Sequence, residues 1–341
     1  MIEGFLERLA DQGRIPDPLL RFAIRLLCEQ RLMQERTAGG APFLASLAQA
    51  EIAPVPAKAN EQHYEVPPEF FALVLGPHRK YSSCYWPEGC QSLEQAEAAA
   101  LAVTAQRAQL EPGQRILELG CGWGSLSLWM AARFPNASIT AVSNSSPQRV
   151  FIEAEARRRG LSNLAVLTAD MNTLDPGGLY DRIVSVEMFE HMRNWPALFA
   201  RIAGWLAPEG RVFLHFFCHR SFAYPFDTEG AFNWMGRYFF TGGMMPGRDL
   251  PHRFGDDLEV EDEWTWSGRE YQRTAEAWLA NLDARKDAVL PILAAAYGSG
   301  NEHTWFHRWR LFFLACAEVF GYQDGRQWMI AHYRLSQRCS T

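Results

Sequence analysis

The chain has 341 residues, 48% of them apolar, which is too long for one minimal domain and enough to bury a substantial core, so one large α/β domain with additions is expected. Its formal net charge of −6 excludes the basic surface with which proteins hold nucleic acid or an anionic membrane, and makes a neutral or cationic ligand the easier partner. Seven cysteines, an odd number without a CxxC pair, read as reduced thiols and exclude a disulfide or zinc framework.

The N-terminus, Met1-Ile2-Glu3-Gly4-Phe5-Leu6-Glu7-Arg8, carries acids in its first turns and no uninterrupted apolar stretch, so no secretory signal is expected. No segment approaches the roughly 20 apolar residues of a membrane-spanning helix. The expectation is a soluble, cytoplasmic protein without stable membrane association. Leu19, Leu20, Phe22, Ala23, Leu26, Leu27 and Leu32 recur at helical spacing, with Arg21, Arg25, Glu29 and Arg31 on the other, solvent-facing side. This predicts an amphipathic helix over 17–36, packed on the main domain rather than lying on a bilayer. Residues 37–60, with Gly39, Gly40, Pro42, Pro54 and Pro56, read as a linker or ordered loop. The expected division is a helical N-terminal extension and linker over 1–60 and the main domain over 61–341.

From Gln114 the pattern alternates strand and helix, the signature of a parallel sheet covered on both faces. Strands are expected at 115–119, 138–142, 164–168, 182–186 and 211–216, with helices at 125–134, 147–159 and 196–206. About forty residues rich in aromatics and glycine follow, roughly 218–258, an insertion placed to close over a pocket. A sixth strand is expected at 259–266, two helices within 274–321 and a last strand at 327–335. The fold class is therefore a Rossmann-like, seven-stranded, mostly parallel sheet with a helical N-terminal extension and an aromatic-rich cap.

Glu118-Leu119-Gly120-Cys121-Gly122-Trp123-Gly124-Ser125 stands where the first strand meets its helix, the carboxyl edge at which α/β folds bind ligands. The spacing is GxGxG and not the GxGxxG of dinucleotide folds, and it is commoner in enzymes that use S-adenosylmethionine. The second strand ends in Val142-Ser143-Asn144-Ser145, so an amide has to hold the ribose in place of the usual acid, with Gln148 as helper. Asp170, after the third strand, is placed either to accept from an adenine amino group or to cap the following turn.

In order along the chain stand YSSCYW (81–86), ELGCGWGSL (118–126), SNSSPQ (143–148), VEMFEHM (186–192), HFFCHRSFAYPF (215–226) and RYFFTGG (237–243). Together they resemble the coclaurine N-methyltransferase family of plant alkaloid biosynthesis, itself related to the cyclopropane fatty acid synthases. The resemblance runs over roughly 60–336. It implies S-adenosylmethionine as methyl donor, S-adenosylhomocysteine as product, no metal, and a homodimer. It places cofactor contacts at Tyr81, Ser82, Gly120, Gly122, Asn144, Gln148, Asp170, Met171 and Val186, with the Tyr81-Ser82 segment closing over the cofactor. Cyclopropane synthases carry a cysteine directly after the tyrosine-serine pair, as part of a bicarbonate site. Ser83 stands there in this chain and Cys84 one place later.

An aliphatic amine, with a reference pKa near 10, is mostly protonated at pH 7, so an enzyme that methylates it must attract an ammonium and then accept its proton. Glu187, Glu190 and His191 follow the fourth strand at the carboxyl edge of the sheet. In a helical turn the two acids would share one face, with His191 four residues after Glu187 as a base. The resemblance assigns both substrate binding and catalysis to these three. Without a ligand they would read as an acidic helix N-terminus. Phe222, Trp234, Tyr238 and Phe239, with Tyr224 and Trp266, are candidates for an apolar pocket whose ring faces favour a cation. Cys316 matches a cysteine proposed as catalytic in cyclopropane synthases. Methyl transfer to an amine needs no protein nucleophile, so it reads more simply as a small core residue. The expected activity is N-methylation of a small amine, such as an alkaloid-like amine, an aromatic amine or an imidazole. The alternatives are a cyclopropane-type lipid modification and a non-catalytic binding module.

Overall fold

The computed structural model describes residues 2–38, 40–55, 66–230 and 233–338. Gly39, Pro56 and the end of the expected linker lie outside them. Nine strands follow one another among these residues: β1 (Arg115–Leu119), β2 (Ser138–Ser143), β3 (Leu164–Thr168), β4 (Tyr180–Val186), β5 (Leu206–His219), β6 (Tyr224–Pro225), β7 (Met244–Met245), β8 (Leu258–Trp266) and β9 (Trp328–Gln337). Seven form the main sheet in the order β3-β2-β1-β4-β5-β9-β8. Strands β1 to β5 pair in parallel, while β9 runs antiparallel to both β5 and β8. Ile116, Leu117 and Leu119 of β1 are all buried, the near-continuous apolar run of a parallel strand covered on both faces. From β1 the chain winds outward through β2 and β3, then returns to place β4 on the other side. That reversal opens a crevice beyond the carboxyl ends of β1 and β4.

Besides Pro68–Val74 and Leu93–Arg107, which have no counterpart in the sequence pattern, the helices depart from expectation in three places. Ala41–Leu47 is helical inside the expected linker: Pro42 sits in the first turn, where its missing N–H breaks no bond. Three helices, Gly268–Ala284, Lys286–Tyr297 and Glu302–Gly321, stand where two were expected. Gly298 and Gly300, at φ 89° and 93°, end the second of these in a conformation other residues rarely adopt.

The third departure is the orientation of helix Asp17–Ala38. Ile24, Cys28 and Leu32 enter the core, while Leu19, Phe22 and Leu26 remain at least half exposed. Arg21 faces inward, bonding Glu276 at 2.5 and 2.8 Å and Glu318 at 2.7 Å, and Arg25 also bonds Glu318. Glu318 is buried on helix Glu302–Gly321, so the arginines that the sequence assigned to the solvent side fasten the helix to the domain. Among the described residues no helix is long and apolar enough to cross a membrane.

Candidate active site

Gly120 and Cys121 donate backbone N–H groups to Val142 O at 3.0 and 2.9 Å, which folds the turn after β1 back onto β2. The three glycines of that turn have positive φ and serve different ends. A Cβ on Gly120 would lie 2.6 Å from Met188 Cγ, and one on Gly124 would lie 2.7 Å from Ile152 Cγ1, so both are required by packing. A Cβ on Gly122 would meet nothing within 4 Å. Gly122 borders a cleft.

That cleft is lined by Gly120, Gly122, Asn144, Gln148 and Met171, with Ala53 and Val55 of the N-terminal extension on its rim. It continues past the glycine turn to Tyr81, Ser82 and Val186. The extension is tied down beside it: Asn172 exchanges two hydrogen bonds with the backbone of Ala53, at 2.8 and 2.9 Å. Gln148 is buried; its Oε1 accepts from Ser143 Oγ at 2.6 Å, and its Nε2 has no partner among the described residues. A fixed amide donor beside an open glycine backbone fits a polar nucleoside ligand. Asp170 stands just outside this lining and accepts from Asn172 N at 2.8 Å, the capping role. Behind the turn, Glu118 is buried against Ser127, which donates to it, and burial pushes its carboxyl up to about 8.

The acids do not share a helix face. Glu187 has left-handed backbone, φ 48°, and only Phe189–His191 forms a short 3-10 turn. The reversal sends the two carboxylates to different surroundings. Glu187 Oε1 accepts from Ser83 N at 2.8 Å and lies 3.2 Å from His215 Nε2, while Oε2 accepts from Tyr271 Oη at 2.8 Å. The buried Nζ of Lys80 donates to Ser82 Oγ at 2.5 Å and Ser83 O at 2.6 Å. Burial raises the carboxyl of Glu187, opposed by the charge of Lys80 and the Ser83 N–H. Glu190 Oε1 accepts from Phe217 N at 2.7 Å, and its buried Oε2 has no partner among the described residues. Burial first, then the charge of Glu187, push Glu190 well above the ordinary carboxylate range. His191 lines the cleft and stacks on Phe240, centroids 4.8 Å apart; desolvation holds its imidazole down to about 4.

On the other side of these residues lies a cavity of about 460 Å³, walled by Trp234, Phe217, Phe240, Tyr271, Phe312 and Cys316 among others. Its wall is continuous with the three candidate residues: Tyr271 bonds Glu187, the N–H of Phe217 bonds Glu190, and Phe240 covers His191. Trp234 and Tyr224 line this cavity, and Cys316 lines it as a buried thiol pushed up by desolvation. Phe239, Tyr238, Phe222 and Trp266 do not. Phe239 is buried against Trp309 and Phe312; Tyr238 donates to Glu7 at 2.8 Å beneath Arg308; Phe222 stacks on His219; Trp266 stacks on Tyr85. The first three bind the cap to its neighbours, and Trp266 binds β8 to the 81–86 segment. Sequence reasoning missed Tyr271, His215, Lys80 and the Ser83 N–H. His215 stood in a quoted motif, whereas Tyr271 reaches the site from a helix without one. Among the described residues no group of three or more His, Cys, Asp and Glu side chains is gathered that could hold a metal ion.

A sheet with this strand order, a glycine turn after β1 and a cleft at the switch point is the architecture of S-adenosylmethionine-dependent methyltransferases, the class in which the relatives of this chain place it. The sequence signature described as mycolic acid cyclopropane synthetase matches residues 54–328. (S)-Coclaurine N-methyltransferase of Thalictrum flavum subsp. glaucum is 37% identical over 99% of this chain and 96% of its own. Cyclopropane-fatty-acyl-phospholipid synthase of Escherichia coli (strain K12) is 31% identical over 81% of this chain and 67% of its own. The crystal structure of coclaurine N-methyltransferase bound to N-methylheliamine and S-adenosylhomocysteine superposes with a TM-score of 0.94 at 35% identity, covering 98% of this chain and 100% of that one. The chain belongs to the mycolic acid cyclopropane synthetase family and, within it, to the coclaurine N-methyltransferase-like members.

Proposed function

We propose that this chain methylates the nitrogen of a small aromatic or alkaloid-like amine, with Glu187, Glu190 and His191 binding and deprotonating it. What supports the reading is that Glu187 and His191 line the cleft, that Tyr271, Phe217 and Phe240 of the aromatic cavity touch Glu187, Glu190 and His191 in turn, and that one buried oxygen of Glu190 has no partner among the described residues. Gly120, Gly122, Asn144, Gln148 and Met171, with Tyr81, Ser82 and Val186 beyond the turn, would hold S-adenosylmethionine, which would supply an electrophilic methyl group. Burial raises the carboxyl of Glu187, but the charge of Lys80, the Ser83 N–H and Tyr271 Oη oppose that rise and support the carboxylate that attracts the ammonium. Glu190, whose carboxylate is favoured once the ammonium lies beside it and whose affinity for a proton is otherwise raised, takes one from the nitrogen. His191, neutral at pH 7, offers a second acceptor on the cleft side. The aromatic walls add about 0.5–2 kcal/mol for each ring that faces the cation well.

The purified protein is incubated with labelled S-adenosylmethionine and a panel of tetrahydroisoquinolines, phenethylamines and imidazoles, beside vesicles of unsaturated phospholipid. Label on amine nitrogen is expected, with none in lipid. A gain of CH2 on the acyl chain, with no amine product, would replace this reading by the cyclopropane-type one.

A further inference from the structure

The antiparallel pairing of β5, β9 and β8 sets His215, His332 and Trp264 opposite one another across three strands. Both histidines are buried, and their rings lie 4.5 Å apart, centroid to centroid, with planes 32° apart. At one end of the pair, His215 Nε2 is 3.2 Å from Glu187 Oε1. At the other, Arg107, the last residue of helix Leu93–Arg107, reaches His332 Nδ1 at 2.6 Å. A guanidinium carries donors only, so Nδ1 of His332 is the acceptor and its ring proton sits on Nε2. Among the described residues no carboxylate pairs with Arg107; its guanidinium lies over Trp264 and Trp266, at 5.0 and 5.6 Å from the ring centroids. A half-buried cation without a counter-ion thus abuts two buried imidazoles that end on Glu187.

We infer that Arg107 is a positioning residue for the amine site, keeping the His215–His332 pair uncharged so that the negative charge of Glu187 is left for the substrate ammonium. The inference rests on the amine reading proposed above. An imidazolium at His215 would be a full counter-charge to Glu187 and would compete with the ammonium. A neutral His215 donates one hydrogen bond and leaves the charge unspent. Arg107 acts in two ways: its N–H occupies the lone pair of His332 Nδ1, the atom that a second proton would take, and its charge repels a proton on either ring. The groups that face this assembly are Lys80, Tyr271, Glu190, His191, Cys84 and Cys316 around Glu187 and Tyr85 and Arg334 beside Arg107, with Phe213 and Trp266 packed on the rings. Burial, then the charges of Lys80 and Arg107, hold His215 well below the ordinary histidine range. His332 is held down by burial, His215, Arg107 and Lys80.

The test uses the whole protein in three variants. Arg107→Met keeps the stem and loses charge and donor, Arg107→Gln keeps a donor without charge, and Arg107→Lys keeps the charge. Long-range 15N–1H spectra report the tautomer and protonation of the two histidines without reference to activity. In the unsubstituted protein His332 is expected with its proton on Nε2 and both rings neutral from pH 5.5 to 8. In Arg107→Met and Arg107→Gln one ring should begin to protonate within that range. The acid limb of kcat/KM for the amine should then move up by about one pH unit, through KM rather than kcat, and Arg107→Lys should restore it. If the Met variant does not fold, the Gln variant carries the test alone. A proton on Nδ1 of His332 in the unsubstituted protein, or histidines and acid limb unmoved by loss of the charge, would overturn the inference. If the histidines respond but no amine is methylated, the amine reading is what has failed.

Discussion

Glu187 and Glu190 are three residues apart, yet Glu187 is held by Ser83 N, His215 and Tyr271 while Glu190 keeps one buried oxygen without a partner among the described residues. Two carboxylates in unlike surroundings divide acid–base roles. Glu187→Gln would turn an amide NH2 toward donors, so it should raise the amine KM and leave affinity for S-adenosylmethionine intact. Glu190→Gln can still accept from Phe217 N but cannot take a proton, and should lower kcat by roughly 10²–10⁴-fold. Steady-state kinetics with calorimetric titration of the cofactor separates the two. Equal effects of both variants on KM alone would mean that the acids act as one anionic patch.

The pH profile distinguishes the bases. Because desolvation holds His191 down to about 4, its ring is neutral throughout the range pH 5.5–9, and it should contribute no inflection near 6.5 to kcat/KM. His191→Ala should lower turnover at every pH in that range by a similar factor. An acid limb near 6.5 that vanishes in His191→Ala would show instead that this histidine titrates normally and sits in water.

Most of the scaffold was legible in the sequence, because parallel strands are short apolar runs bounded by turns and helices by their period. The limits of β1 and β3 follow from the residues directly. The site was legible only in part. Glu187 and Glu190 could be named, but not how they point, since the left-handed φ at Glu187 is imposed by the return to β5, where its N–H bonds His215 O at 2.7 Å. Tyr271 and His215 reach Glu187 from 84 and 28 residues away along the chain, and no local pattern encodes such contacts. The aromatic residues of the cap illustrate the opposite error. Phe239 and Trp234 share a composition signal, and only packing decides which of them faces the cavity.

The glycine turn offers a test of the cofactor site. At Gly120 any side chain collides with Met188, so its replacement tests packing as well as binding. Gly122→Ala is cleaner: φ is 51°, a left-handed conformation that costs an L residue roughly 1–2 kcal/mol, and the added methyl meets no protein atom within 4 Å. The variant should fold, with a melting temperature a few degrees lower, and should bind S-adenosylmethionine at least tenfold more weakly because the methyl projects into the cleft. Calorimetry showing unchanged affinity would place the cofactor elsewhere.

Glu118 makes a prediction about stability. Burial pushes its carboxyl from 4.5 up to about 8, so the folded protein binds a proton there that the unfolded chain has already released. Between the two values the native state holds more protons, and stability falls as pH rises; above about 8 both states are ionised and the slope vanishes. Glu97, accepting backbone bonds from Gly76, His78 and Lys80 and raised to about 7, adds a slope of the same sign at lower pH. The buried histidines, held below their ordinary range, work in the opposite direction, but only at pH values where the unfolded chain still binds their protons. The window from pH 7 to 8 therefore belongs mainly to raised carboxyls. Glu118→Gln stays neutral at every pH and keeps an oxygen for the Ser127 hydroxyl. Urea unfolding of the ligand-free protein at intervals across this window should show stability declining for the unsubstituted chain and a shallower decline for the variant. Parallel curves would mean that water reaches Glu118 and that its carboxylate is ionised in the folded state.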